Sequence, residues 1–163
     1  MKLRDLEEIL TEVDPFDNPK VQLEQYPTSS HLAARMIYTA ATSFGDIEGQ
    51  SVGDFGCGAG VLSIASYMMG SSHTVGFDAD QDALDNAWVN CRKMEIFDID
   101  LVQMDLLSVK LAHSFDTVVS NPPFGTRNAG IDTAFVVNGM ANANVVYSLH
   151  KTTTRDVSDL FSL

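Results

Sequence analysis

Apolar residues recur at two different periods along the chain, and the changes of period outline its elements. Leu3, Leu6, Ile9, Leu10 and Val13 lie three or four apart, as on one face of a helix, and Asp14-Pro15 ends that element. A second helix is expected after Pro27-Thr28, with Leu32, Ala33, Met36, Ile37 and Ala40 along one face. From there strands and helices alternate. The pattern predicts a strand at 50–55, a buried helix at 61–69 and a strand at 74–77. A helix follows with Ala83, Leu84, Ala87, Trp88 and Cys91 on one face, then strands at 99–104 and 115–120. A helix at 133–143, diluted by Asn138, Gly139 and Asn142, leads to a fifth strand at 144–149. Alternation of this kind means βαβ crossovers. It implies an α/β, Rossmann-like fold, with a mostly parallel sheet covered by helices on both faces.

Length and composition narrow the setting. The 163 residues suit a single domain, with N-terminal helices in 1–45, a sheet core in 50–150 and a short tail at 151–163. The best apolar run, Val61 to Met69, contains two serines and falls far short of the roughly 20 residues of a membrane helix. The first eight residues are too acidic for a signal or transit peptide. Cys57 and Cys91 show no paired metal spacing, so a reducing, intracellular compartment is expected, with neither a disulfide framework nor a zinc site. His31, His73, His113 and His150 are scattered and read as structural or solvated. A formal net charge of −12 argues against unaided nucleic-acid binding, which normally rests on Lys and Arg at phosphates.

The chemistry gathers at strand ends, where ligands of such sheets bind. After the first strand comes Asp54-Phe55-Gly56-Cys57-Gly58-Ala59-Gly60, opening the next helix. Its G-x-G-x-G spacing lacks the third glycine position of a dinucleotide fingerprint, and Asp54 would repel a pyrophosphate unless turned away. A cationic cofactor tolerates both features, and S-adenosylmethionine, with its sulfonium and ammonium, fits better than NAD. The second strand ends at Asp78, 24 positions after Asp54, where two carboxylate oxygens can accept both ribose hydroxyls. Asp80 reads as the cap of the following helix. At the third strand end, Asp105 could accept from an adenine amine, although a solvated turn aspartate explains it almost as well. The fourth strand ends in Asn121-Pro122-Pro123-Phe124. Two prolines stop the strand and hold Asn121 extended, bringing an amide, carbonyls and an aromatic ring together, a group suited to a planar nitrogen.

Together these residues resemble the class I S-adenosylmethionine-dependent methyltransferases that act on amino groups. Glu24-Gln25-Tyr26-Pro27-Thr28, Gly58 to Ser63, Asn121 to Thr126 and Tyr147 to Lys151 narrow the resemblance. It becomes one to eukaryotic enzymes that form N6-methyladenosine on 18S ribosomal RNA, and it runs from about Leu3 to Arg155. The resemblance implies that Gln25 and Thr28 touch the methionine end of S-adenosyl-L-methionine. It further implies that Gly56, Ala59 and Val61 give backbone contacts, with Asp54 and Gly58 in the same cofactor set. Asp78 would take the ribose and Asp105 with Leu106 the adenine. Asn121, Pro122, Pro123 and Phe124 would form the catalytic group, Asn121 also flanking the cofactor. The family's active form pairs with a small zinc-binding methyltransferase activator, which adds a strand beside 99–104. The implied locations are the nucleus, nucleolus and cytoplasm.

Two departures from that family stand out. Ala59 replaces a cysteine common among relatives. The chain also ends at Leu163, after a predicted helix at 155–163, where relatives continue through two more strands carrying lysines, so a truncated form is expected. Two alternatives remain open at this point. One is a protein-glutamine methyltransferase of the release-factor type, which usually carries Tyr at the Phe124 position and an added N-terminal helical domain. The other is a non-catalytic isoform that binds S-adenosylmethionine or the activator without turnover.

Overall fold

Five α-helices and five β-strands are set out by the computed structural model, which describes residues 1–108, 111–112, 114–125 and 129–150. Helix α1 (Leu3–Leu10) and helix α2 (Ser30–Thr39) come first, and α2 runs on into a π-helical turn at Ala40–Phe44. Next are β1 (Ser51–Phe55), α3 (Val61–Met68), β2 (His73–Asp78) and α4 (Gln81–Lys93). The order closes with β3 (Ile99–Gln103), β4 (Phe115–Ser120), α5 (Ile131–Asn142) and β5 (Ala143–Ser148). Two side chains start helices as expected of caps: Ser29 Oγ accepts the amide of Leu32, and Asp80 accepts that of Asp82.

The five strands make one parallel sheet in the order β3-β2-β1-β4-β5. Gly53 of β1 lies between Val75 of β2 and Val118 of β4, so β1 is central. The chain steps from β1 one way to β2 and β3, then back across to β4. That reversal leaves a crevice above the carboxyl ends of β1 and β4, the place where open α/β sheets bind ligands.

Each face of the sheet buries its own cluster. On one side Leu6, Leu10, Ala33, Ile37, Leu62 and Ile64 pack with Val52 and Val119. On the other, Phe55, Phe77 and Phe115 meet edge to face at 5.7–6.4 Å, with Phe135 of α5 and Val146 beside them. Gly53 leaves room for the Phe115 ring, whose nearest carbon would lie 2.9 Å from an added Cβ.

Two residues assigned to buried helical faces lie outside them. Leu32 is 50% exposed and Trp88 is 53% exposed, while Ala34 and Asn90 take the inward positions. Helix α2 packs against both α1 and α3, and alanines at 33, 34 and 40 allow that close approach where a leucine would not. Asn90 is buried because it bonds to backbone on two sides, as the site below requires. The predicted helix at 155–163 and the reading of His113 lie outside the described residues, as do Thr126 and Lys151 of the quoted motifs.

Candidate functional site

A cleft of about 590 Å³ opens above the carboxyl ends of β1, β2 and β4, a size suited to one nucleoside-sized ligand. Its floor is the glycine turn. Gly56, Gly58 and Gly60 all have positive φ, which L side chains rarely adopt. The amides of Gly56 and Cys57 both donate to the Phe77 carbonyl at 2.9 Å, tying the turn to β2. At Gly58 a Cβ would lie 2.8 Å from Cζ of Phe16, so only glycine fits beneath that ring.

Asp78 stands at the end of β2 and organises the turn. One oxygen accepts the Gly58 amide at 2.9 Å, and the other accepts the Asp80 amide at 2.9 Å. Burial pushes its pKa upward, opposed by these amide donors. Asp105 also lines the cleft, but its carboxylate closes its own turn by accepting Leu107 N and Ser108 Oγ. Leu106 is buried beside it in the second cluster. Gly58, Ala59, Val61, Asp78, Asp105 and Leu106 thus share one wall, together with Gly56.

Asp54 is elsewhere. It lies behind the turn, is fully buried, and is not part of the cleft wall. Ser63 Oγ donates to its Oδ2 at 2.6 Å, while its Oδ1 has no hydrogen-bond partner among the described residues. Burial, with Asp78 nearby, raises its pKa to about 7 despite the Ser63 bonds. The folded state then holds a proton that the unfolded chain releases near 4, so stability falls as pH rises from about 4 to about 7. The full effect is on the order of 4 kcal/mol, at about 1.4 kcal/mol for each pKa unit. Asp54→Asn is expected to remove this slope. Urea midpoints of wild type and variant at pH 5 and pH 8 would show it, since parallel loss in both proteins would rule Asp54 out.

A strap from the N-terminal region forms the other wall. Asn90 Nδ2 donates to the carbonyls of both Asp14 and Ala59 at 2.9 Å, and its Oδ1 accepts the Asp14 amide. One buried amide therefore pins the strap to the glycine turn. Further along, Lys20 Nζ reaches Asp80 at 2.6 Å and Asp82 at 2.7 Å. Gln25 lines the cleft, yet its amide is engaged with the Lys20 amide and with Asp80, both at 2.7 Å. Glu24, buried and left-handed at φ 51°, turns the chain, and beyond it Tyr26 and Thr28 meet the end of the fourth strand.

At that meeting point Asn121 Nδ2 donates to Thr28 Oγ1 at 2.8 Å. The same amide's Oδ1 is buried with no hydrogen-bond partner among the described residues. Thr28 therefore bonds the acceptor-side amide. Pro123 lines the cleft, Pro122 is buried, and Phe124 is half-buried with its ring stacked against that of Tyr26. Phe16, Asn90 and Phe135 are parts of this site that carry no motif in the sequence. Phe16 and Phe135 line the cleft, and only the fold brings them there.

The wall has a sign. Among the described residues that form it, Asp14, Glu24, Asp78 and Asp105 are acids, and none is Lys or Arg. A pyrophosphate would be repelled. A nucleoside with a cationic tail fits the acids, and the close backbone at Gly58 fits its approach.

Comparisons with known proteins agree with this geometry. Residues 28–146 match the methyltransferase small domain. The chain is 50% identical over 160 residues to a Danio rerio protein named rRNA N(6)-adenosine-methyltransferase METTL5, covering 96% of this chain and 77% of that protein. The Drosophila melanogaster protein named rRNA N(6)-adenosine-methyltransferase Mettl5 is 51% identical over 160 residues, covering 95% of this chain and 75% of its own length. Among solved structures, the Pyrococcus horikoshii protein PH1948, described as a candidate RNA methyltransferase, superposes with a TM-score of 0.89. It is 32% identical, over 99% of this chain and 80% of that one. Sequence, fold and cleft therefore coincide, and the chain belongs to the METTL5 family of small-domain methyltransferases, enzymes whose cofactor is S-adenosylmethionine.

Proposed function

We propose that this protein methylates the exocyclic N6 amine of an adenosine in 18S ribosomal RNA, working with a zinc-binding activator subunit. The observation that carries the chemistry is the Asn121 amide. Its nitrogen is engaged by Thr28, and its buried oxygen has no partner among the described residues. A buried acceptor left open costs about 1–3 kcal/mol, so an incoming N–H donor gains there. The acceptor class comes from the relatives, which are named rRNA N6-adenosine methyltransferases.

Asp78 would hold the ribose, with Asp105 and Leu106 at the adenine and the Gly56 to Val61 turn against the rest. When bound, S-adenosylmethionine supplies an electrophilic methyl group. The protein's own residues prepare the nitrogen that takes it. An adenine amine is a weak nucleophile because its lone pair is delocalised into the ring. Asn121 Oδ1 and the Pro122 carbonyl accept its two N–H bonds, which pulls the nitrogen toward tetrahedral geometry and frees the lone pair. Phe124 stacks on the flipped base, as expected of enzymes that act on an extruded base. Most of the rate then comes from positioning and fixed dipoles, with no general base, since a methylated ammonium gives its proton to water.

Thr28 acts through Asn121 in this scheme. Thr28→Val is expected to lower kcat about tenfold, the loss of one hydrogen bond, with cofactor affinity unchanged. Thr28→Ser should restore the rate. Equal loss of cofactor binding in Thr28→Val would instead place Thr28 at the cofactor.

Support for the activator lies at the other end of the sheet. Strand β3 is an edge among the described residues, with Leu101 and Val102 only half-buried. Beside it Arg92 lies 5.2 Å from the Trp88 ring centre and 4.6 Å from that of Phe97, both rings being exposed. An open strand next to exposed aromatics suits strand addition by a partner. A partner also supplies the positive charge that an acidic chain needs on RNA. Such a substrate places the protein in the nucleus, nucleolus and cytoplasm. The test is methyl transfer from labelled cofactor to 18S RNA and to a glutamine-containing peptide, with and without the activator. Transfer to the peptide alone would favour the release-factor type of reaction.

A further inference from the structure

The strap that follows α1 runs along helix α4 in a regular register. Asp14 is bonded to Asn90, Asp17 to Asn86 and Lys20 to Asp82. Each step of three residues along the strap meets a step of four back along the helix. Four residues are about one helical turn, so these bonds form a ladder on one face of α4. Lys93 extends it, with Nζ donating to the Glu12 carbonyl at 2.9 Å and to Asp14 at 3.0 Å.

Between the rungs at 14 and 17 one side chain turns the other way. Pro15 and Asp17 are exposed, whereas Phe16 is half-buried and lays its ring on Gly58. The ring also borders a second space. Beside the main cleft lies a cavity of about 240 Å³, with Asp80, Asp82, Asp85 and Asn86 in its wall. Among the described residues, Phe16 and Gln25 are the two that line both spaces, so they form the partition between them. Gln25 is fixed by its bonds to Asp80 and to the Lys20 amide. The Phe16 side chain has no polar atom, and its place is set by the rungs on either side.

We infer that Phe16 is a further cofactor-binding residue, whose ring closes the nucleoside end of the cleft and is held there by the ladder on α4. Gly58, beneath the ring, gives its amide to Asp78, the carboxylate assigned to the ribose, so ring and carboxylate meet at one glycine. An apolar ring there keeps water from one side of the sugar and adds packing area that a bare glycine turn lacks. Asn86 and Asp17 stand outside the cleft wall and act on the cofactor through the ring. The inference rests on the cofactor alone and is independent of the acceptor.

Calorimetric titration of the full chain tests it with two ligands, S-adenosylhomocysteine and 5′-methylthioadenosine, the second lacking the amino-acid tail. Phe16→Ala should weaken both about tenfold, and Phe16→Leu, which keeps apolar bulk, should retain most of the affinity. Asn86→Ala removes the middle rung at a helical position where alanine is favoured, so the fold is kept. Alone it should weaken both ligands about threefold, and combined with Phe16→Ala it should add nothing. Unchanged affinity in Phe16→Ala would reduce the ring to packing on Gly58, and tighter binding would make it a plug in the ligand's place. Either result overturns the assignment. Loss confined to S-adenosylhomocysteine would move the ring to the amino-acid end and overturn the nucleoside contact. A further threefold loss from Asn86→Ala in the Phe16→Ala protein would overturn the ladder's action through the ring.

Discussion

Replacing Asn121 with alanine is expected to reduce methyl transfer at least about 10²–10³-fold while cofactor affinity stays within about twofold. The reason is local. Asn121 contributes one buried acceptor oxygen, and that oxygen has no partner among the described residues. Its loss removes an interaction made when the acceptor nitrogen turns toward tetrahedral geometry, so kcat falls rather than KM rising. Prolines at 122 and 123 hold the backbone, so the shape of the strand end survives the change. Single-turnover rates with saturating RNA, beside calorimetric cofactor titration, separate the two quantities. A variant that loses cofactor binding as strongly as rate would show that Asn121 belongs mainly to the cofactor.

Asp78→Ala is expected to fail in the opposite manner, weakening cofactor binding about 100-fold. Two charge-assisted bonds hold the Gly58 and Asp80 amides, and the same carboxylate has lone pairs left for ribose hydroxyls. Removing it leaves two amides unpaired and loosens the glycine turn beneath Phe16. Asp78→Asn keeps one acceptor oxygen, loses the charge and turns an NH2 donor toward one of the two amides, and a loss of at least about tenfold is expected. Calorimetric titration measures both. With enough cofactor, Asp78→Asn should regain much of its rate, whereas Asn121→Ala should not.

Periodicity carried most of the fold. The alternation from residue 50 onward matches each strand and helix among the described residues to within a few positions, because a parallel sheet buried on both faces leaves continuous apolar runs. It missed where packing overrides the pattern. Leu32 and Trp88 fit a helical stripe on paper, but the tight contacts of α2 and the hydrogen bonds of Asn90 set which faces turn inward. In the site, strand-end acids and the Asn-Pro-Pro-Phe turn were legible because loops after parallel strands must converge. Their individual bonds were not. Nothing in the order of residues says that Gln25 spends its amide on Lys20 and Asp80, or that Asp54 lies behind the turn with Ser63. Nor does it say that Thr28 meets Asn121 across 93 positions. Phe16 and Phe135 carried no signal at all, since an aromatic in a loop or an apolar helix is usually packing.

One buried amide oxygen, that of Asn121, accepts the base amine in this scheme, so the most direct measurement is transfer of labelled methyl to 18S RNA by wild type and Asn121→Ala, with the activator present. The predicted result is label recovered as N6-methyladenosine with wild type and at least about a hundredfold less with the variant. N6-methyladenosine formed at the wild-type rate by Asn121→Ala would contradict it.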